Sequence, residues 1–250
     1  NFKRIIALML SVVLVAACFV GCSKNKEETN SDLAKIKSNG KLVVGITEFE
    51  PMDYKEKGSD EWIGFDADMA KAFGEYLGVD VEFVEIEWDN KVFELNNGTI
   101  DCVWNGMTLT PEVTEAMSCS KAYCNNAQVV IVNKDVADKY KTAEDCKELK
   151  FAVESGSAGE AEAKANGYEY TPVKDQPTAL FEVQSGTSDA AIIDSLMAAA
   201  MVGEGTSYEN LTYTAALNSE EYGVGFRKGS DVVDEFNKFL AASIKDGSME

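Results

Sequence analysis

Two kinds of apolar spacing alternate along the chain. Beyond residue 30, Leu33 and Ile36 share one face of a short polar segment that Ser31 or Asp32 can cap and Gly40 stops, which predicts a helix. KLVVGI, Lys41–Ile46, is a continuous apolar run of strand length. Met69, Phe73, Tyr76 and Leu77 then recur at helical spacing between Asp66, read as the cap, and Gly78. Alternation at Val81 and Phe83 predicts a strand, residues 89–97 a helix carrying Val92, Phe93 and Leu95, and residues 100–104 another strand. This succession of strand, helix, strand, helix, strand predicts a parallel α/β sheet. Ligands on such sheets bind beyond the carboxyl ends of the strands. Three loops are therefore marked: those with Phe49, with Trp88, and with Asn105 to Thr110.

The stretch from Trp104 to Gln128 reads as a strand end, a loop of hydroxyls and amides, a short helix and a crossing strand over residues 127–133. After it the alternation restarts. A helix is expected over 142–149, a strand over 151–153 ending in the small-residue loop ESGSAGE, a helix after that loop, a strand over 168–173 and a helix over 177–185. An apolar strand over 189–193 ends at Asp194, followed by an Ala- and Met-rich helix over 196–201. Residues 221–228 read as a strand crossing back, and residues 232–244 as an amphipathic helix. The fold class expected is α/β with two lobes and two crossing hinge strands. One lobe spans 33–126 and 219–250; the hinge strand and second lobe span 127–218. Two crossings permit closure over a ligand.

The first residues carry a different signal. Lys3 and Arg4 precede an apolar run from Ile5 to Val20, the length of a secretory signal rather than a full span. Residues 1–21 are read as a lipoprotein signal peptide, with Cys22 as the lipidated residue and Cys18 as the alternative, and 22–32 as a tether. Cys102, Cys119, Cys124 and Cys146 show no CxxC spacing, so a zinc site is not expected, and their disulfide state stays open.

Composition narrows the chemistry. The formal charge of −20 opposes nucleic acid. The chain contains no His, which removes the commonest general base and metal ligand. No catalytic residue, cofactor or metal is expected. Arg4 and Arg227 are the only arginines, and Arg227 is expected at the surface.

The ordered series KLVVGI, FEPMDY, GFDADMAKAFGEYLGV, NGMTLTPE, ESGSAGE, DAAIID and EYGVGFRKGSD resembles the extracellular solute-binding proteins of ABC importers, in the polar amino acid subfamily. The resemblance covers the chain from about Leu33 onwards. It implies a monomeric, periplasmic-binding-protein-like trap that captures an amino acid or amino-acid-like solute and delivers it to a membrane permease. With the lipid anchor, it implies a cell-surface lipoprotein of Gram-positive type. It also implies site roles: Phe49 and Trp88 as aromatic walls, Asn105, Gly106 and Thr108 as backbone and hydroxyl donors, Ser157 at a helix N-terminus, and Asp194 for the ammonium of the ligand. Each has a structural alternative: a loop anchor for Phe49, a core position for Trp88, a helix cap for Asp194. Glu48 and Glu154 add acid near the same place, and aromatics with acids form a box for a cation.

One position departs from the family pattern. The motif calls for an Arg that clamps the α-carboxylate, and Val113 stands there. Two readings follow: an amino acid held by hydroxyls, Asn105, backbone amides or a Lys such as Lys121, or an amine or derivative without a free α-carboxylate. A dehydratase of this fold and an extracellular sensor are the other classes to weigh. Restoring the clamp with Val113→Arg is expected to strengthen binding of ordinary α-amino acids in calorimetry; no change would place the carboxylate elsewhere.

Overall fold

The computed structural model describes residues 31–249. The signal peptide, Cys18, Cys22 and nearly all of the tether lie outside the described residues. Helix α1 (Asp32–Asn39) leads into β1 (Lys41–Ile46), with the Ser31 hydroxyl accepting the Ala34 N–H and Gly40 left-handed at the other end. A long loop reaches α2 (Phe65–Leu77), then β2 (Asp80–Glu85), a single 3-10 turn at Trp88–Asn90, α3 (Lys91–Asn97) and β3 (Cys102–Val103). Next come α4 (Pro111–Ala116), β4 (Ser118–Cys119), β5 (Cys124–Asn126) and β6 (Gln128–Asn133).

In the second half, β7 (Lys150–Glu154), α5 (Ala158–Asn166), β8 (Glu169–Val173), α6 (Gln176–Ser185), β9 (Ala190–Asp194) and α7 (Ser195–Met201) alternate. They are followed by β10 (Leu211–Ala216), β11 (Glu220–Tyr222), β12 (Gly225–Phe226) and α8 (Val232–Asp246).

Two five-stranded sheets form the two lobes, in the orders β2-β1-β3-β12-β4 and β10-β6-β9-β7-β8. Strands β1, β2 and β3 are parallel, as are β7, β8 and β9; β12 and β6 run antiparallel to their neighbours. A separate two-stranded antiparallel ladder, β5 with β11, joins the lobes in the register Asn126 to Glu220 and Cys124 to Tyr222. The crossing is thus made one segment earlier than residues 127–133, which belong to the second sheet. Strand β10 escaped the sequence reading because Thr212, Tyr213 and Thr214 turn polar or exposed groups outward at a sheet edge. The helix expected over 142–149 is a 3-10 turn at Glu144–Cys146.

The first core packs Leu42, Val44, Ile46 and Phe73 against Trp104, Phe226 and Phe236, with Phe236 edge-on to Trp104 at 4.9 Å between ring centres. Gly74 lets α2 approach β2: a Cβ there would lie 2.4 Å from the Val81 side chain. No described helix is long and apolar enough to cross a membrane. The cysteines Cys102, Cys119, Cys124 and Cys146 are free thiols.

Two expectations are corrected here. Asp66 does not cap α2; it is fully buried in the first turn and accepts hydrogen bonds from the Gly106 N–H at 2.6 Å and the Tyr123 hydroxyl at 2.7 Å. Arg227 is not a surface residue. Its guanidinium binds Asp32 at 3.0 Å and Asp101 at 3.2 Å and donates to the carbonyls of Leu95 and Ile100, so it ties α1, the end of α3 and the approach to β3 together. Removing one partner of a largely buried ion pair leaves the others uncompensated. Arg227→Met is expected to cost about 3 kcal/mol, read as a lower urea midpoint, with the loss confined to the first lobe in hydrogen exchange.

Candidate functional site

Between the lobes lies a cavity of about 680 Å³. Its walls come from the carboxyl ends of parallel strands in both sheets, as strand polarity requires. From the first lobe come Phe49 after β1, Trp88 and Lys91 after β2, and Asn105, Gly106 and Thr108 after β3. The second lobe supplies Glu154, Gly156 and Ser157 after β7, Gln176 at the start of α6, and Asp194 at the end of β9. Every residue assigned a role by resemblance lines this cavity, Glu154 and Val113 included. Glu48 does not; it is half-buried outside the lining and takes the Lys55 N–H at 3.5 Å. Lys121 is exposed on another face, its N–H bound to Asn237.

Contact with the cavity and freedom to bind a ligand are different things. The Asn105 side chain is spent: its oxygen accepts the N–H and hydroxyl of Thr47, and its amide donates to the Thr47 carbonyl and to Asp53. The Gly106 N–H is given to Asp66. Thr108 donates its hydroxyl to Glu220 at 2.8 Å. Gly106, at φ 55°, is required by geometry: a Cβ would stand 2.5 Å from the Phe49 ring. Ser157 caps α5 by accepting the Glu160 N–H, and the Glu160 carboxylate returns to the Gly156 N–H at 2.7 Å. The first turn of α5 therefore already holds an anion.

The acids in the second-lobe wall are unusual. Asp194 stands at the N-cap position of α7 without a capping bond. Its Oδ1 accepts from the Tyr222 hydroxyl at 2.6 Å, from Gln128 at 3.1 Å and from Asn126, while Oδ2 accepts from Gln176. Burial, with Glu220 beside it, raises its pKa to about 7. Glu154 is buried at the end of the adjacent strand, and its Oε1 has no hydrogen-bond partner among the described residues. Burial, then the charges of Asp194 and Asp175, lift its pKa to about 8. At neutral pH Glu154 is mostly protonated and Asp194 close to half protonated, where an ordinary carboxylate has lost its proton.

Aromatic and cationic side chains complete the wall. Phe49 meets Tyr222 edge-on at 6.3 Å and packs with Met52 into the second-lobe core. Trp88 is both wall and core, clustered with Val113, Met107 and Met117. Lys91 is buried with its ammonium 4.8 Å from the Trp88 ring centre. Sequence reasoning missed it, because a Lys opening a polar helix carries no signal of burial. Among the described residues, no cluster of three or more His, Cys, Asp or Glu could hold a metal ion.

Residues 42–250 match the family described as bacterial extracellular solute-binding proteins, family 3, and the chain belongs to it. The arginine-binding extracellular protein ArtP of Bacillus subtilis (strain 168) is 29% identical over 246 residues, 96% of this chain and 94% of that protein. The L-cystine-binding protein TcyJ of Escherichia coli (strain K12) is 28% identical over 243 residues, 95% of this chain and 90% of that protein. Among solved structures, the ancestral amino acid-binding protein AncCDT-1, a precursor of cyclohexadienyl dehydratase, superposes with a TM-score of 0.80 at 34% identity, covering 88% of this chain and 96% of that one.

The lobes touch directly. A Cβ on Gly156, at φ 71°, would lie 2.7 Å from the Asp89 Cα across the cleft. Gly156→Ala is expected to prop the lobes apart and to add about 1 kcal/mol of left-handed backbone strain. Small-angle scattering should show a larger radius of gyration than the parent.

Proposed function

We propose that this solute-binding protein captures a positively charged amino acid or amino-acid-like solute between its lobes and hands it to an ABC permease, as a monomer held at the outer membrane face by lipid on Cys22 or Cys18. The observation that carries the reading is the pair Glu154 and Asp194: two buried carboxyl groups in one cavity wall, one with an oxygen that no donor among the described residues satisfies. A cation placed between them supplies the missing partner, and Phe49 and Trp88 supply apolar walls for the rest of the ligand. Phe49, Trp88, Ser157, Glu154 and Asp194 are the residues we assign to binding, with Asn105, Gly106 and Thr108, whose donors are engaged inside the protein, shaping the loop from behind.

A second reading, an amine lacking a free α-carboxylate, is favoured by Val113 in the wall and by the excess of acid. Asp89, Glu112, Glu154, Glu160 and Asp194 line the cavity against Lys91 and Lys164. We take the protein to be a binder without turnover. That reading is supported by relatives whose names describe arginine- and L-cystine-binding proteins. Calorimetry with amino acids and amines, followed by product analysis, separates binding from turnover.

The pH dependence follows from the two raised values. Below about 7 and about 8 respectively, Asp194 and Glu154 are protonated in the free protein. A bound cation favours their ionised forms, so binding releases protons. Affinity is then expected to rise with pH between about 6 and 8, by up to about tenfold per pH unit per proton. Glu154→Gln is expected to weaken binding of a cationic solute about 10- to 100-fold and to flatten that slope. Affinity that is independent of pH and indifferent to this substitution would remove the assignment.

A further inference from the structure

We propose that Lys91 is the anion-binding residue of the cleft, receiving the carboxylate of an amino-acid ligand where the two lobes meet. This rests on reading the cleft as an amino-acid site, and it adds the group that decides between a zwitterion and a plain amine.

Lys91 joins the two lobes and carries a charge that its neutral contacts do not balance. It is 7% exposed, at the first position of α3, where the helix dipole disfavours a positive charge. Among the described residues no carboxylate lies within ion-pair distance of it. Its ammonium donates instead to two carbonyls, Trp88 at 3.2 Å and Gly156 at 2.8 Å, one from each lobe. An ammonium carries three N–H donors. Among the described residues no third acceptor is found, the Trp88 ring lying 4.8 Å from the ammonium, and the residue lines the cavity. Burial lowers its pKa, opposed first by the charge of Glu154 and then by Asp89, Glu112 and Glu160. A buried cation without a close counterion is costly, and an incoming anion relieves that cost.

The other donors in the wall leave the same vacancy. Asn105, the Gly106 N–H and the Thr108 hydroxyl are engaged inside the protein. The α5 end is occupied by Glu160, and Lys164 is paired with it at 2.9 Å, mostly exposed. Val113 has nothing to donate. The hydroxyls of Thr110 and Ser157 keep a proton to give: each accepts a backbone N–H as a helix cap, and both line the cavity. They are neutral partners to a carboxylate that Lys91 holds by charge. With Glu154 and Asp194 taking the cationic group, the cleft is matched to a zwitterion.

The test compares amino acids with their decarboxylated counterparts by calorimetry: L-arginine with agmatine, L-lysine with cadaverine, L-histidine with histamine. The parent protein is expected to prefer the amino acid in whichever pair it binds. Lys91→Met should erase that preference, costing the amino acid about 10- to 100-fold while leaving the amine unchanged or tighter. Lys91→Arg should keep it. Lys91→Gln, which can still donate to the two carbonyls, provides the same readout if the Met variant does not fold. An undiminished preference in the neutral variants, or equal losses for amine and amino acid, would overturn the proposal and leave the cationic-solute reading standing. A parent protein that prefers the amines would also overturn it, in favour of the second reading. Binding of neither member of any pair would remove both the proposal and the reading beneath it.

Discussion

Two carboxyl groups buried side by side cannot both ionise without a cation, and the cleft is organised by that constraint. Glu154 and Asp194 end neighbouring parallel strands, and both line the same cavity. The protein satisfies them unequally. Asp194 is surrounded by the amides of Asn126, Gln128 and Gln176 and the hydroxyl of Tyr222. Glu154 keeps a bare oxygen, and burial first, then the charges of Asp194 and Asp175, raises its pKa. A site that holds protons until a cation arrives needs no fixed counter-charge on that side, which explains how a strongly acidic chain keeps such a pocket folded.

The same atoms reach the hinge. Asn126 and Tyr222 belong to the ladder that joins the lobes, and both donate to Asp194. Glu220, from the same ladder, gathers Thr108, Asn126 and Gln128. Polar contact between ladder and cavity wall is therefore direct, one hydrogen bond long. Across the mouth, Lys174 pairs with Glu85 at 2.8 Å, an exposed pair of little energetic weight. The apolar seam of Phe49 and Met52 against Met197 and Ala198, and the close approach of Gly156 to Asp89, define the contact of the lobes more firmly.

Much of this was legible in the residues. Apolar runs bounded by Gly40, Gly78, Gly98, Gly167 and Gly186 mark the strand and helix ends, since each of these glycines takes the left-handed turn that stops a helix. Strand ends in an α/β sheet then point to the cleft, and the motif series brought Phe49, Trp88, Thr108, Ser157, Glu154 and Asp194 to one cavity. What stayed hidden was hydrogen-bond accounting. Asn105 looks like a ligand donor until Thr47 and Asp53 are seen to consume it. Asp66 looks like a cap until Gly106 and Tyr123 claim it. Arg227 and Lys91 look like surface cations because burial of a charge depends on partners far away in sequence, Asp32 and Asp101 for the first and Gly156 for the second. The missing Arg at Val113 was visible at once; the cation in the cleft was not.

The ionisation of Glu154 can be followed directly by NMR of the side-chain carboxyl carbons, assigned by Glu154→Gln. In the ligand-free protein the resonance should titrate near 8. With a bound cationic amino acid it should stay ionised down to the ordinary carboxylate range, about 4 to 5. A Glu154 that titrates in that ordinary range without ligand, or whose titration is unchanged by it, would contradict a cleft built around held protons.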